Sequence, residues 1–298
     1  MSRTAKTVVL CALLARITML LSADFAVAQA PEEWHASAWQ LWKIDVDGTG
    51  LMPLDTTPDC RCGSPDWSPD GSQIAYDVLD DTGGGYQTAV IQADGSNRRI
   101  VTRGSIPTWS PDGKLIACQS GGIRIVNADG SGPEVLPGSA HSLRWSPDGN
   151  SIVAGIGNRF LVFDLATGKQ DMLFVSRSMI SHGFGISPDG RRYCFGSPRA
   201  GLHVAELDEQ LKLVAIRPIV ATGTAYHASW APDGRRAVFA WRPKAGDLTQ
   251  IYIVDDDGNN PPRLVPGIDV THQNVNPDWS PDGNSIVFSS PAPLSTPP

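Results

Sequence analysis

The sequence predicts an all-β fold: a six-bladed β-propeller of four-stranded antiparallel blades, closed by pairing of its N- and C-terminal strands. Three observations predict it. A turn-forming pentapeptide recurs six times at a nearly constant spacing. A second strand-and-turn element recurs between those copies. The chain opens on the second element and closes on the first.

The pentapeptide is Trp67-Ser68-Pro69-Asp70-Gly71, repeated from Trp109 and from Trp145. The fourth copy starts at Ile186 in place of tryptophan, the fifth at Trp230 with Ala231 in place of serine, and the sixth at Trp279. The spacings are 42, 36, 41, 44 and 49 residues, the period of propeller blades. Ser-Pro-Asp-Gly is a turn: proline presets φ, aspartate suits the next position, and glycine takes the left-handed one. Apolar runs follow, such as Gln73-Ile74-Ala75-Tyr76 and Ser285-Ile286-Val287-Phe288, and read as strands. The tryptophan gives each blade a large apolar anchor.

The second element appears as Leu41 to Gly48, Ala89 to Gly95, Ile123 to Gly130 and Ile251 to Gly258, with looser copies at Phe160 to Gly168 and Leu202 to Asp208. Each is a strand ending in a hairpin turn, and a further strand follows, as at Arg98 to Val101. Two hairpins per repeat make a four-stranded blade. The strands around Leu41 to Leu54 then complete the blade begun at Trp279, which hides the sheet edges. Residues 36–290 therefore form one domain, and the proline-rich 291–298 read as a disordered tail.

Glycine (30) and proline (24) are abundant, which favours short strands and tight turns. The net charge of −7 and the absence of any Lys/Arg run argue against nucleic-acid binding. Residues 1–30 read as a signal peptide: Arg3 and Lys6 precede the apolar Val8 to Leu21, interrupted by Arg16, and Ala28-Gln29-Ala30 is a small-x-small cleavage pattern. The apolar stretch is too short and broken for a comfortable membrane span. Removing it leaves 21 basic and 30 acidic residues, a net −9. The expected location is periplasmic or secreted.

Cys60 and Cys62 stand too close for an ordinary loop-closing bridge, and Cys118 and Cys194, in apolar strand-like runs, read as buried thiols. The turns Asp45 to Gly48 and Asp255 to Gly258 resemble the start of a calcium loop but lack its later glutamate, so they read as plain turns. No Gly-x-Ser-x-Gly elbow, phosphate-cradling loop or Cys-x-x-Cys is present. Four histidines follow the repeat: His141, His182, His227 and His272, at intervals of 41, 45 and 45. They precede the pentapeptides by 4, 4, 3 and 7 residues. An offset of 3 points opposite to one of 4 unless a bulge intervenes. They are either polar residues of a channel mouth or ligands of a channel metal. His35 and His203 fall outside the pattern and read as surface residues.

The repeats resemble the WD40-like (PD40) propeller repeats of the TolB family over roughly residues 38–290. The resemblance implies a six-bladed propeller in the bacterial envelope that binds envelope proteins. It covers the propeller alone, not the α/β domain that precedes it in TolB, so it does not carry the whole Tol–Pal role. Oligogalacturonate lyases share the repeat and hold a channel metal largely through histidines. The expectation is a non-enzymatic binding module with no required cofactor. The alternative is a metal-dependent polysaccharide lyase using the four histidines.

Overall fold

The computed structural model describes residues 38–291 apart from 58–59, 81–83, 133 and 137–139. The segment read as a signal peptide and the tail beyond residue 291 lie outside the described residues. Among the described residues there is no helix, and so none long and apolar enough to cross a membrane.

The first two strands are β1 (Trp39–Asp45) and β2 (Met52–Asp55). Blade 1 follows as β3 (Cys62–Trp67), β4 (Gln73–Asp80), β5 (Gly85–Gln92) and β6 (Arg99–Arg103). Blade 2 is β7 (Ser105–Trp109), β8 (Leu115–Gln119), β9 (Ile123–Asn127) and β10 (Glu134–Leu136). Blade 3 is β11 (Ser142–Trp145), β12 (Ser151–Ile156), β13 (Arg159–Asp164) and β14 (Gln170–Val175). Blade 4 is β15 (Phe184–Ile186), β16 (Arg192–Ser197), β17 (Gly201–Leu207) and β18 (Leu213–Val220). Blade 5 is β19 (Thr224–Trp230), β20 (Arg236–Arg242), β21 (Gln250–Asp255) and β22 (Arg263–Leu264). Blade 6 takes β23 (Val275–Trp279) and β24 (Ser285–Pro291) from the C-terminal side and borrows β1 and β2.

The predicted closure is present. β1 runs antiparallel to β24 in unbroken register from Trp39 opposite Pro291 to Asp45 opposite Ser285. The two chain ends thus lie within one sheet, and neither β1 nor β24 is an open edge.

The pentapeptide does two jobs. Within each turn the serine hydroxyl donates to the aspartate and accepts from a backbone N–H: Ser68 Oγ donates to Asp70 Oδ1 at 2.6 Å and accepts from Gln73 N at 2.9 Å. Ala231 has no hydroxyl to do this, yet that turn keeps its backbone bonds from Ala231 N to Arg236 O and from Gly234 N to Ala231 O. Between blades, each glycine lies flat against the proline of the preceding turn. A Cβ on Gly71 would lie 3.4 Å from Pro281 Cγ, and the same contact joins Gly113 to Pro69, Gly149 to Pro111, Gly190 to Pro147, Gly234 to Pro188 and Gly283 to Pro232. Proline and glycine therefore tile one face of the ring from blade to blade.

The buried apolar side chains fall into six clusters, one at each blade interface. Between blades 6 and 1, Leu41 and Val287 pack with Trp67, Ile74 and Tyr76. Blade 4 has Ile186 where the others have tryptophan, and its interface with blade 3 is filled by phenylalanines instead. Phe160 stacks on Phe174 at 4.2 Å and meets Phe184 and Phe195 edge-on at 5.1 and 5.2 Å. Each such pair adds about 0.5–1.5 kcal/mol beyond area burial.

Candidate functional site in the channel

The innermost strands β3, β7, β11, β15, β19 and β23 pack side by side around the axis. Each ends on the repeat's tryptophan or Ile186, so the repeat places equivalent residues at equivalent depths. The residues just before that position are Asp66, Thr108, Arg144, Gly185, Ser229 and Asp278. Several of their side chains reach the next blade's backbone. Asp66 Oδ2 accepts from Trp109 N at 2.6 Å, Asp278 Oδ2 from Trp67 N at 3.0 Å, and Ser229 Oγ from Trp279 N at 3.4 Å. Arg144 reaches Asp66 across blade 2, with Nη1 3.5 Å from Oδ1. At Gly185 a Cβ would lie 2.9 Å from Ala228 O and 2.9 Å from Cys194 Sγ, so no side chain fits there.

Burial dominates the electrostatics of this ring. It pushes the Asp66 carboxyl up to about 7, the Asp278 charge adds to the rise, and Arg144 opposes it. Asp278 is raised for the same reason, again against Arg144. Asp77 on β4 is also raised by burial, while Ile106 N and the Ser64 hydroxyl favour its charged form. One guanidinium therefore faces two buried carboxylates that resist ionising together.

A few residues further from the tryptophan, the inner strands bulge. The register breaks between Gly63 and Asp66, Ser105 and Thr108, Tyr226 and Ala228, and Val275 and Asp278. A left-handed residue marks each break: Ser64, Ile106, His227 and Asn276, with φ of 45°, 53°, 26° and 54°. Such backbone is costly for residues other than glycine and gathers at functional sites. Polar groups collect at this level. Buried His227 Nδ1, Asn276 Oδ1 and Ser142 Oγ, all three residues before their tryptophan, have no hydrogen-bond partner within the chain.

The bulge resolves the mismatch of offsets 3 and 4. His182 and His227 face each other across blades 4 and 5, ring centroids 6.0 Å apart and nearly parallel at 19°. Their backbones are joined by His227 N to His182 O at 2.7 Å. Gly183, at φ +81°, makes room: a Cβ there would lie 2.5 Å from His227 Cδ2. Burial, then the neighbouring His182 and Arg144, hold the His227 imidazole well below its usual range, so it is neutral. Tyr226 stands 6.4 Å from His182, and its hydroxyl accepts from Arg242 Nη2 at 3.3 Å.

The other two histidines do not join them. The exposed His141 is held by its backbone N–H to Gly155 O at 3.0 Å. His272 Nδ1 lies 3.0 Å from Thr271 Oγ1 and 3.4 Å from Asp269 Oδ2. His203, expected at the surface, is half-buried on β17 with its ring stacked on Phe195 at 5.6 Å, and His35 lies outside the described residues. The Asp-rich turns use their carboxylates locally, Asp47 Oδ1 accepting from Thr49 N and Asp257 Oδ1 from Asn259 N.

Contrary to the expectation from their spacing, Cys60 and Cys62 form a disulfide, their Cα atoms 5.7 Å apart. Cys118 and Cys194 are free and buried as expected. Among the described residues, Asp55, Cys60 and Cys62 form the one grouping of three or more His, Cys, Asp or Glu whose ligand atoms lie within 4.8 Å of one another. The recurring histidines stand out in the sequence, while the charged ring was not expected from it. Its signal was present, since Asp-Trp recurs at 66–67 and 278–279 with Arg-Trp at 144–145.

No family model matches the sequence. A putative TolB from Agrobacterium tumefaciens superposes with a TM-score of 0.67 at 20% identity, covering 87% of this chain and all of that one. The chain carries a TolB-like propeller. TolB from Acinetobacter baumannii superposes at 0.62 with 18% identity, over 82% of this chain and 67% of that one. Among curated sequences, an uncharacterized protein of Agrobacterium fabrum is 28% identical over 262 residues, 76% of this chain and 83% of its own length. An uncharacterized peptidase of Bacillus subtilis is 25% identical over 184 residues, but the match takes in only 27% of that protein. At these identities the structural likeness defines the TolB-like fold, while function is argued from the site.

Proposed function

We propose that this chain is a non-enzymatic binding module of the bacterial envelope, exported by residues 1–30, that takes a polar polypeptide segment of a partner at the bulged mouth of its channel. The observation that carries this reading is the set of polar atoms there that are buried without a hydrogen-bond partner inside the chain. His227 Nδ1, Asn276 Oδ1 and Ser142 Oγ occupy equivalent positions on three blades without an internal partner. A buried polar group left unpaired costs about 1–3 kcal/mol, which a ligand with donors and acceptors at that level recovers. The TolB-like fold supports a protein as that ligand. The strained backbone fixes the mouth before anything binds, which lowers the ordering cost of association.

The test is cross-linking in the native envelope, with a photo-reactive residue in place of His182 and a control in place of the exposed Val214 on blade 4. A discrete adduct from position 182, absent from position 214, supports channel-mouth binding. Adducts from position 214 alone refute it. The stacked His182 and His227 are the observation that favours the second reading, a metal-dependent lyase. Elemental analysis decides for it if stoichiometric transition metal is found and is lost in both His182→Ala and His227→Ala.

A further inference from the structure

At the seam where the ring closes lies a second chemical centre, away from the channel mouth. Asp55 ends β2, the outermost strand of blade 6, and Cys60 and Cys62 lead into β3, the innermost strand of blade 1. All three side chains are buried, at 3%, 4% and 2% exposure. Asp55 Oδ2 lies 3.9 Å from Cys60 Sγ and 3.7 Å from Cys62 Sγ. In a tetrahedral site with Zn–S near 2.3 Å and Zn–O near 2.0 Å, neighbouring oxygen and sulfur ligands stand about 3.5 Å apart. The two oxygen–sulfur spacings need only a few tenths of an ångström of adjustment, while the two sulfurs, bonded to each other in the bridge, must part to about 3.8 Å once it is reduced.

The carboxylate is held as a metal ligand is held. Asp55 Oδ1 accepts from Thr57 N at 3.0 Å and Thr57 Oγ1 at 2.6 Å, and Oδ2 from Tyr76 Oη at 2.5 Å and Arg98 Nε at 2.8 Å. Such partners orient a first ligand and keep it ionised. The charge count selects the ion. Two thiolates and one carboxylate beside the Arg98 guanidinium leave two negative charges, which one divalent cation neutralises. Thiolate ligands favour zinc and its thiophilic relatives over magnesium or calcium.

We infer that Asp55, Cys60 and Cys62 form a redox-gated site for a thiophilic divalent cation such as zinc, available when the Cys60–Cys62 bridge is reduced. A dithiol reductant delivers two electrons and two protons to the bridge. It leaves as its own disulfide and yields the Cys60 and Cys62 thiols. The cation then displaces the two thiol protons, which pass to solvent, and bonds both sulfurs and Asp55 Oδ2, where it takes the place of the hydrogen bond from the Tyr76 hydroxyl. The bridge ties the segment from Cys60 to Cys62 at the entry to β3, and the cation would also fasten that segment to blade 6 through Asp55. Trp39 N donates to Cys60 O at 2.8 Å, so the same segment also touches the first strand of the closing pair.

The test uses the chain from residue 31 onward, which omits Cys11, with cobalt(II) as a coloured probe. Reduced protein takes up one cobalt per chain and develops near-ultraviolet thiolate-to-cobalt absorption, while the oxidised protein does neither. Cobalt held by His182 and His227 would lack that absorption, which separates the two sites. Cys62→Ser abolishes the band. Where that variant misfolds, the oxidised wild type is the control. Absence of the band in reduced protein, its persistence in oxidised protein, or loss of the far-UV β signal on reduction overturns the inference.

Discussion

Replacing Asp66 by asparagine tests whether the inner ring carries a buried carboxylate at an energetic cost. Asp66 is raised from 3.8 to about 7, mainly by burial. A carboxyl raised in the folded state holds its proton more tightly there than in the unfolded chain. Its protonated form therefore favours folding, and that advantage is lost as pH rises from about 4 to about 7. Between pH 5 and pH 8 the linkage integral gives a loss of about 2–3 kcal/mol from this one group. His227 works the other way: its depressed value adds stability above the ordinary histidine range and loses it as pH falls through that range. The two slopes overlap, so the wild-type curve alone is uninformative. The substituted amide keeps an acceptor for Trp109 N but cannot ionise. The measurement is urea unfolding of wild type and Asp66→Asn at pH 5, 6, 7 and 8. Asparagine should become more stabilising relative to wild type as pH rises, by about 2–3 kcal/mol across the range. A constant difference, or one of opposite sign, refutes the argument that burial governs this ring.

Other outcomes follow from packing. Ile44→Ala, at a fully buried position on β1 in the closing sheet, should cost about 2–5 kcal/mol in denaturant unfolding. A chain lacking residues 1–51 removes β1 and exposes the whole edge of β24, and light scattering should show it aggregated. Gly183→Ala sets a Cβ against the His227 ring and a side chain at φ +81°; it should cost about 1–3 kcal/mol and shift the His227 imidazole proton resonances. Burial pushes the Cys194 thiol up to about 12 and raises Cys118 as well. In the chain from residue 31 onward, a thiol reagent should therefore find both cysteines unreactive until denaturant is added. Native-state reaction of either would contradict the buried packing.

Much of the architecture was legible because a repeat multiplies every local signal. The turn chemistry of Ser-Pro-Asp-Gly, the apolar runs after it and the alternation of two elements fixed blade number, strand number and the seam between β1 and β24. Even the replacement of tryptophan at Ile186 left the period intact. The channel histidines were half legible. Their recurrence pointed to the inner strands, but a bulge adds a residue without a fixed sequence mark, so facing could not be counted along the strand.

The six-bladed ring and the burial of Cys118 and Cys194 follow from patterns within about one period of the chain, and the closure follows from the phase of the repeat at β1 and β24. The tertiary structure alone decided which side chains meet across blades: Asp66 with Arg144, His182 with His227, and Asp55 with both sulfurs of the Cys60–Cys62 bridge. Local preference acts between residues adjacent in the chain. These contacts join neighbouring blades or reach past one, and the first two arise only when the inner strands share one axis.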